Sequence, residues 1–415
     1  MKTGKICKTL ILVLAMVMML TGCTTFDSFK HTFIEKNSKN EHVIVIGVYE
    51  PSTGSSAENG ISEIKGIELA NSIYNSVDGY RVELAKVDTQ SSATAAETAI
   101  QGLIKMKPVA IIGSAGEAAS LIASEYVDKA QIPAITPAAI NPLITQNGNY
   151  YFRATLTNAQ MGSGIADYAC AHLRSTHVGI VVPKNDTTST ALVDGFRDAV
   201  KDILGKDNGA IVMNTNVDAD EESFEKVAKN MKKKKVDVLY VPFGTEAMNT
   251  FFSVMEKNGL TGITYLGTKD WGNSEFVKMM EEHPAIRTAF PYLSVMDTEN
   301  MSTKDVTKEA ERFRIEYSNK YGADDIPTES SALGYDSYLL MINAIHQAKS
   351  LDGEDLRAAL LSLKDVRCAT GIFNFDNNGN TVREVNIATI RGGEVVSLHV
   401  TENTTEAEEI GGIEK

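Results

Sequence analysis

Short runs of valine, isoleucine and leucine alternate with longer amphipathic segments along most of this chain. The stretch HVIVIGVYEP at residues 42–51 is almost continuously apolar and ends at a proline, which is typical of a strand buried on both faces of its sheet. The helical pattern EIKGIELANSIYNS follows it, and the next strand pattern is YRVELAKVDT. Strands and helices that alternate at this spacing predict parallel β-α-β units and therefore an α/β fold.

The same alternation starts a second time after the segment YYFRATLTNAQMGSG. Its strand patterns include HVGIVVP, AIVMNTNV and VDVLYVPF, and helical patterns such as TALVDGFRDAVKDIL lie between them. Two successive series predict two α/β sheets, and 415 residues are enough for two domains of ordinary size. Residues 303–348, which include ALGYDSYLLMINAI, are predicted to be mostly helical.

The C-terminal region has a different pattern. The stretch GIFNFDNNGNTVREVNIATIRGGEVVSL predicts two antiparallel strands around a turn at residues 376–380. The letters DNNGN at that turn resemble part of a calcium loop, but the glutamate at the twelfth position and the flanking helices of that motif are missing, so we interpret them as a hairpin turn. The acidic residues 402–415 predict a disordered tail.

The first 22 residues have the pattern of a secretory signal. Lysines precede the apolar run TLILVLAMVMML, which is shorter than the roughly 20 residues that span a bilayer. The run leads into LTGC, which resembles the lipobox of bacterial lipoproteins, where the cysteine receives a diacylglycerol and becomes the new N-terminus. We therefore expect residues 1–22 to be removed, Cys23 to carry a lipid anchor on the extracytoplasmic face of a bacterial membrane, and residues 23–41 to form a tether. The alternative is a plain cleaved signal with an incidental cysteine.

Charge and cysteine content restrict the partners of the folded part. The formal net charge of −14 argues against nucleic acid, because phosphate binding needs a basic surface. Cys7 lies in the signal and Cys23 is the predicted lipid site, which leaves Cys170 and Cys368. A disulfide between these two is one possibility in an exported protein, and two buried free thiols are the favoured prediction.

Motifs that carry catalytic chemistry are missing from the sequence. No GxGxxG follows a strand pattern, and the chain has no GxxxxGK[ST], HExxH, GxSxG or CxxC. Its seven histidines do not have metal-ligand spacing. We therefore expect no catalytic residues, no metal and no cofactor, and a binding function becomes the default. An envelope hydrolase would need a nucleophile within reach of a general base, and the sequence does not indicate one.

Six phrases in collinear order carry a resemblance to a known family: VIVIGVYEPSTGSSAENG, PVAIIGSAGEAASLIASEYVDKAQIPAITPAAINP, YYFRATLTNAQMGSGIADY, VDVLYVPFGTEAMNTFFSVMEKNGL, YLGTKDWGNSEF and SALGYDSYLLMINAI. Together they resemble the leucine/isoleucine/valine-binding family of periplasmic binding proteins, from about residue 43 to 400. The resemblance implies two doubly wound parallel-sheet lobes joined by three crossovers, here residues 42–155 with 292–370 and residues 156–291 with 371–401. It also implies a small polar ligand in the cleft between the lobes, a monomer, and an ABC permease as the membrane partner.

The family's amino-acid clamp is not reproduced at the matching positions. Glu117 and Ile140 stand where the resemblance implies a serine and a threonine that hold the ligand carboxylate. Lys269, with Asp270 beside it, stands where an acidic residue would take the ammonium group. The predicted ligand-binding residues are Ser55, Ser56, Asn59, Ser114, Glu117, Thr136, Ala138, Asn158, Phe243, Lys269, Asp270 and Tyr335.

Three interpretations of this departure stay open. A small register shift would leave Ser114, Ser120, Thr136 and Asp270 to do the usual work. Alternatively, Glu117 and Lys269 hold a ligand of reversed polarity or of another chemical class. In the third interpretation the two side chains pair across the cleft, and the protein senses a ligand without transporting it. If Glu117 and Lys269 do occupy the family positions, branched-chain amino acids in the family's orientation are disfavoured by like-charge repulsion at both ends.

Overall fold

Two mixed, mostly parallel sheets organise the chain, as the two series of alternating segments predict. The computed structural model describes residues 42–184, 190–205, 209–293 and 307–398. The predicted signal at residues 1–22, the lipid site Cys23, the tether 23–41 and the tail 402–415 lie outside the described residues.

The first sheet has six strands in the order β2-β3-β1-β4-β5-β6, all parallel except β2. Its elements are β1 (His42–Glu50), α1 (Ala57–Ile73), β2 (Ser76–Val77), β3 (Tyr80–Asp88), α2 (Ala93–Lys105), β4 (Ala110–Ile112), α3 (Glu117–Ala130), β5 (Ala134–Thr136), α4 (Leu143–Gln146) and β6 (Tyr151–Arg153). We call this sheet, with the helices that pack on it, the first lobe.

The central strand β1 is covered on both of its faces. Ile44, Ile46 and Val48 point to the side covered by α1, whereas Tyr49 packs on the opposite side among residues of α2 and α3. Because successive residues of a strand alternate between its faces, a strand covered on both sides needs apolar residues at nearly every position.

The second sheet begins after residue 157, and its parallel strands follow the same alternation. The elements are α5 (Asn158–Asp167), a π-helical turn (Tyr168–His172), β7 (Val178–Pro183), α6 (Thr190–Leu204), β8 (Ile211–Val217), α7 (Glu221–Lys234), β9 (Val238–Tyr240), α8 (Thr245–Lys257), β10 (Thr264–Leu266), a 3-10 turn (Lys269–Gly272), α9 (Ser274–Met280) and β11 (Arg287–Pro291). This sheet with its helices is the second lobe.

The chain then returns to the first lobe. Helices α10 (Lys308–Tyr321), α11 (Glu329–Gln347) and α12 (Gly353–Ser362) bury side chains in the same core as β1, as do β12 (Val366–Cys368) and β13 (Gly371–Phe375). Residues 371–375, which the predicted lobe boundaries assign to the second lobe, pack instead into the first, because Phe373 and Phe375 are buried in that core.

Helices α1 and α11 are in very close contact. A methyl group on Gly66 would lie 1.8 Å from the carbonyl oxygen of Ser331, and one on Gly334 would lie 2.3 Å from that of Glu63. Both positions therefore need glycine for the two helix backbones to approach this closely.

The C-terminal region forms two hairpins rather than the single one predicted. Strand β13 pairs antiparallel with β14 (Thr381–Val382), and the predicted turn between them is held by Asp376, whose Oδ1 accepts from the N–H groups of Asn378 and Asn380. Strands β15 (Ile387–Arg391) and β16 (Glu394–Leu398) form the second hairpin and complete the other sheet, in the order β16-β15-β11-β10-β9-β7-β8. The chain thus passes between the lobes three times.

Both cysteines of the described residues are free and buried, as favoured from the sequence. Cys170 lies in the core of the second lobe and Cys368 in that of the first. Among the residues that the structure describes, no helix is long and apolar enough to cross a membrane.

Candidate functional site

In open α/β sheets, ligands bind at the loops that follow the carboxyl ends of parallel strands. The loop after β1 is fixed by Asp88, which ends β3 and accepts from the backbone N–H of Ser52 at 2.9 Å and the hydroxyl of Thr53 at 2.7 Å. The predicted ligand residues on this loop and the start of α1 are exposed Ser55, half-buried Ser56 and exposed Asn59.

The loops after β4 and β5 are tied together by Ser114 and Thr136, both without exposed surface. The hydroxyls of Thr136 and Ser120 both donate to the carbonyl oxygen of Ser114 at 2.9 Å. Thr136 Oγ1 also accepts from the N–H of Ala139 at 3.0 Å. The hydroxyl of Ser114 accepts from the N–H of Gly116 at 3.1 Å. The hydroxyls of Ser114, Ser120 and Thr136, which the register-shift interpretation requires for the ligand, are therefore used to hold the two loops. Ala138, in the second loop, is half-buried.

Glu117 begins α3 and binds the loop after β5. Its Oε1 accepts from the N–H of Ile140 at 2.6 Å, and its Oε2 accepts from the N–H of Asn141 at 3.0 Å. Arg153, at the end of β6, donates from its guanidinium to the carbonyl oxygens of the same two residues. Burial lowers the pKa of Arg153 to about 10, against the opposing effects of the carboxylates of Glu117 and Asp376.

Two carboxyl groups are buried beneath these loops. Glu50 ends β1 and Glu63 lies on α1, and neither has exposed surface. Glu50 Oε2 accepts from the N–H of Ala115 at 2.7 Å, whereas Glu50 Oε1 and both carboxyl oxygens of Glu63 receive no hydrogen bond from other groups among the described residues. Burial raises the pKa of both groups, and the charge of Glu50 raises that of Glu63 further. The two carboxyl groups are thus placed to share a proton at a pH at which exposed carboxyl groups are ionised.

In the second lobe, Lys269 reaches across to the first. Its Nζ lies 3.2 Å and 3.3 Å from the two carboxylate oxygens of Glu329, the first residue of α11. Glu117 and Lys269 therefore do not pair with each other, as the third interpretation required, because each is engaged by a different group. Asp270 is exposed beside Lys269, and Asn158 is half-buried at the start of α5.

Two predicted aromatic contacts lie in the hydrophobic cores. Tyr335 has no exposed surface, and its hydroxyl donates to Glu309. Phe243 is 3% exposed, and its carbonyl oxygen accepts from Trp271 Nε1 at 3.1 Å. Trp271 itself stacks on Phe276 with ring centroids 4.7 Å apart. In this conformation these rings serve packing, and their contact with a ligand stays a prediction, as it does for the other ten residues.

A small cavity of about 30 Å³ lies beside the segments that cross between the lobes. Lys269 and Glu329 line it, together with Thr155, Arg383 and Asn386. Arg383 donates to the carbonyl oxygen of Thr370 at 3.1 Å and to its hydroxyl at 2.8 Å, which ties the segment between β14 and β15 to the loop between β12 and β13.

Four charged residues of these loops and their neighbours were not predicted from the sequence: Glu50, Glu63, Arg153 and Glu329. A signal exists for two of them, because Glu50 and Arg153 are charged residues at the end of otherwise apolar strands, HVIVIGVYE and YFR. A charge in such a position is costly unless it is paired, and so points to a polar cluster at that edge of the sheet. Glu63 and Glu329 lie on helices, and the sequences of these helices do not show what the two side chains contact.

Comparison with known proteins agrees with this architecture. An amino acid binding protein of Pseudomonas aeruginosa is 26% identical over 223 residues, which span 52% of this chain and 58% of that protein. The crystal structure of a leucine-binding protein from Thermotoga maritima has a TM-score of 0.62 at 25% identity and covers 86% of this chain and 98% of that one. A branched-chain amino acid transporter substrate-binding protein from Streptococcus pneumoniae, solved with isoleucine, has a TM-score of 0.58 at 25% identity and covers 86% and 100%.

A family model described as "Periplasmic binding protein" matches residues 43–394, which include both sheets and nearly all of the described residues. The matched family is one of binding proteins, in agreement with the lack of catalytic motifs in the sequence. With two α/β lobes, three crossing segments and polar loops at the carboxyl ends of the strands, the chain belongs to the periplasmic binding protein family.

Proposed function

We propose that this protein is the solute-binding component of an ABC importer and captures a small polar ligand between its lobes without chemical change. The observation that carries the proposal is the ion pair between Lys269 and Glu329, which connects the carboxyl edge of the second sheet to the first lobe. The leucine and isoleucine named for the similar proteins support an amino-acid-like ligand.

The first lobe supplies a preorganised surface for such a ligand. The loops after β1, β4 and β5 are each held by side-chain hydrogen bonds, from Asp88, Ser114 and Glu117 respectively. A binding surface that is already ordered loses less entropy when the ligand arrives. Closure of the second lobe would then bury the ligand and present a changed surface to the permease.

Mass spectrometry tests capture directly. The purified protein is mixed with a metabolite extract, separated from free solutes, denatured and analysed for released small molecules. Capture predicts that one unmodified compound, or a few related ones, is enriched over a control in which the protein was denatured before mixing. Recovery of a chemically altered compound, or of no enriched compound, would contradict the proposal.

The lipid anchor is the second part of the proposal. We propose that Cys23 carries the lipid and holds the protein on the extracytoplasmic face of a bacterial membrane, on the strength of the LTGC pattern after the apolar run. Replacement Cys23→Ala should move the protein from the membrane fraction to the soluble fraction. A Cys23→Ala protein that still sediments with membranes would contradict the anchor without affecting the capture experiment.

A further inference from the structure

The loop after β5 uses most of its backbone N–H groups within the protein. Ile140 and Asn141 donate to the Glu117 carboxylate. The N–H of Ala139 donates to Thr136 Oγ1, that of Leu143 donates to Asn141 Oδ1, and residue 142 is a proline. Backbone N–H groups at such a loop are the ordinary receptor for a ligand carboxylate. Here the protein's own side chains accept hydrogen bonds from four of them.

The loop after β4 is satisfied in the same way. The N–H groups of Ser114, Ala115 and Gly116 donate to Ser120 Oγ, Glu50 Oε2 and Ser114 Oγ, at 3.2, 2.7 and 3.1 Å. The first turn of α3 begins at Glu117, so a negative charge already lies where the helix dipole would favour an anion. The N–H groups of Ser114, Ala115 and Gly116 are therefore satisfied without an anionic ligand.

Glu117 keeps some capacity to accept hydrogen bonds. Its side chain is half-buried, and each carboxylate oxygen accepts one backbone N–H although it has two lone pairs. Arg153 does not use this capacity, because it donates to the carbonyl oxygens of Ile140 and Asn141. A ligand N–H group can use the remaining lone pairs, whereas a ligand carboxylate would meet a like charge at Glu117.

We propose that Glu117 is the specificity-determining residue of the cleft. It selects ligands that present an N–H donor to the first lobe, such as an ammonium, guanidinium or amide group, and it rejects ligands that present a carboxylate there. This inference rests on the proposed function, because it takes the loops at the carboxyl edge of the first sheet as the ligand site.

Matched probes test the inference by isothermal titration. Leucinamide and leucine form one pair, and benzamide and benzoate form the other, so that within each pair an amide replaces a carboxylate. The parent protein should bind the amide of at least one pair about tenfold or more tightly than the carboxylate, the effect expected of one charge-assisted hydrogen bond. Glu117→Ser frees the N–H groups of residues 140 and 141 and should reverse this preference.

Two further variants guard against misinterpretation. Glu117→Gln keeps the side-chain length but not the charge, so it should weaken binding of the amide probe even if Glu117→Ser folds poorly. Glu125→Gln lies on the exposed side of the same helix, with a side chain that is 66% exposed, and should bind like the parent protein. Circular dichroism melts verify that each variant is folded.

The outcomes separate this inference from the proposed function. A parent protein that prefers the carboxylates, or a preference that neither Glu117 variant alters, overturns the role of Glu117 and leaves capture intact. Failure of all four probes to bind the parent protein and both variants also overturns it. Capture itself is judged by the metabolite experiment above, which does not depend on Glu117.

Discussion

The two lobes share one architecture but differ in what they bury. Among the described residues, the fully buried carboxyl and guanidinium groups all belong to the first lobe or to the segments packed on it: Glu50, Glu63, Arg153 and Asp336. The interior of the second lobe is aromatic instead, with edge-to-face and stacked contacts among Phe251, Phe252, Tyr265, Trp271 and Phe276. Both lobes thus have apolar cores, but among the described residues only the first lobe and the segments packed on it bury carboxyl and guanidinium groups completely.

This difference indicates that the two lobes have different roles. A buried charge is costly unless it is paired, so a lobe that retains several of them gives up stability to fix the loops above. Asp336 illustrates this, since it accepts from the N–H groups of Ala369 and Thr370 and from the Thr370 hydroxyl, and so holds a segment next to a crossing. We therefore expect the first lobe to position the ligand and the second to supply a stable, apolar body that moves as a unit.

The largest effect should come from the aromatic core of the second lobe. Phe252 has no exposed surface and lies within 5.4 to 6.4 Å, between ring centroids, of Tyr265, Trp271, Phe276 and other rings. Phe252→Ala should lower the free energy of unfolding of this lobe by about 3–5 kcal/mol. Trp271, the only tryptophan, reports the unfolding of this lobe by its fluorescence in urea.

Ile203→Ala is the control. It alters a residue that is 43% exposed and should change the free energy of the same transition by less than about 0.5 kcal/mol. Equal shifts for the two variants would contradict the special role of the cluster.

The next effect concerns the close contact of α1 and α11 in the first lobe. Gly66→Ala should destabilise this lobe by about 1–3 kcal/mol, because its methyl group would collide with the backbone of Ser331. Gly102→Ala is the matched control in α2, where no atom lies within 4 Å of the added methyl. That variant should stabilise the lobe by about 0.5–1 kcal/mol, since alanine is the better helix former. Circular dichroism during urea unfolding measures both, and destabilisation by both would show that the contact is not the cause.

The buried carboxyl pair makes the first lobe sensitive to pH. The pKa of Glu50 and that of Glu63 are raised above the ordinary carboxyl value by burial. The folded state therefore binds more protons than the unfolded state once the pH exceeds the ordinary value, and stability falls as the pH rises toward the raised values. Glu63→Gln keeps the shape of the side chain and removes one of the two titrating groups. Between about pH 5 and about pH 8, the variant should therefore lose about 1–2 kcal/mol less free energy of unfolding than the parent protein.

A control on the same helix separates this effect from general charge. Glu58→Gln replaces an exposed carboxylate in the first turn of α1 and should leave the pH dependence as it is in the parent protein. Denaturant unfolding at several pH values measures all three proteins. A Glu63→Gln protein with the parent's slope would show that the pair does not share a proton.

The fold could be predicted because its signals are local and strong. The pattern TALVDGFRDAVKDIL predicted a helix over the residues that α6 occupies, since its apolar residues recur at helical spacing over fifteen residues. The second C-terminal hairpin was missed although its signal was present. Gly392 and Gly393 both have positive φ, as a two-residue hairpin turn requires, and lie between alternating apolar residues.

The site was harder to predict because its bonds join distant parts of the chain. Glu117 begins α3, but its partners are backbone groups 23 and 24 residues away, and a sequence does not show which backbone N–H groups a side chain will bind. Buried Tyr335 shows a second difficulty. An aromatic residue has the same pattern in a core helix as in a cleft wall, so periodicity cannot distinguish the two.

The smallest effect should come from the ion pair that joins the lobes. The side chains of Lys269 and Glu329 are 46% and 35% exposed, so solvent screening limits the pair to about 0.2–1 kcal/mol. Because the pair bridges the lobes, Lys269→Met should favour a more open arrangement, seen as a larger radius of gyration by small-angle scattering. Added salt should shift the parent protein in the same direction and leave the variant nearly unchanged. Lys257→Met is the matched control, because Lys257 pairs with Glu225 within the second lobe at 3.3 Å and so cannot act on the angle between the lobes. An equal change in radius for both variants, or none for Lys269→Met at low salt, would show that the pair does not hold the lobes together, and the cleft would then be closed by the ligand alone.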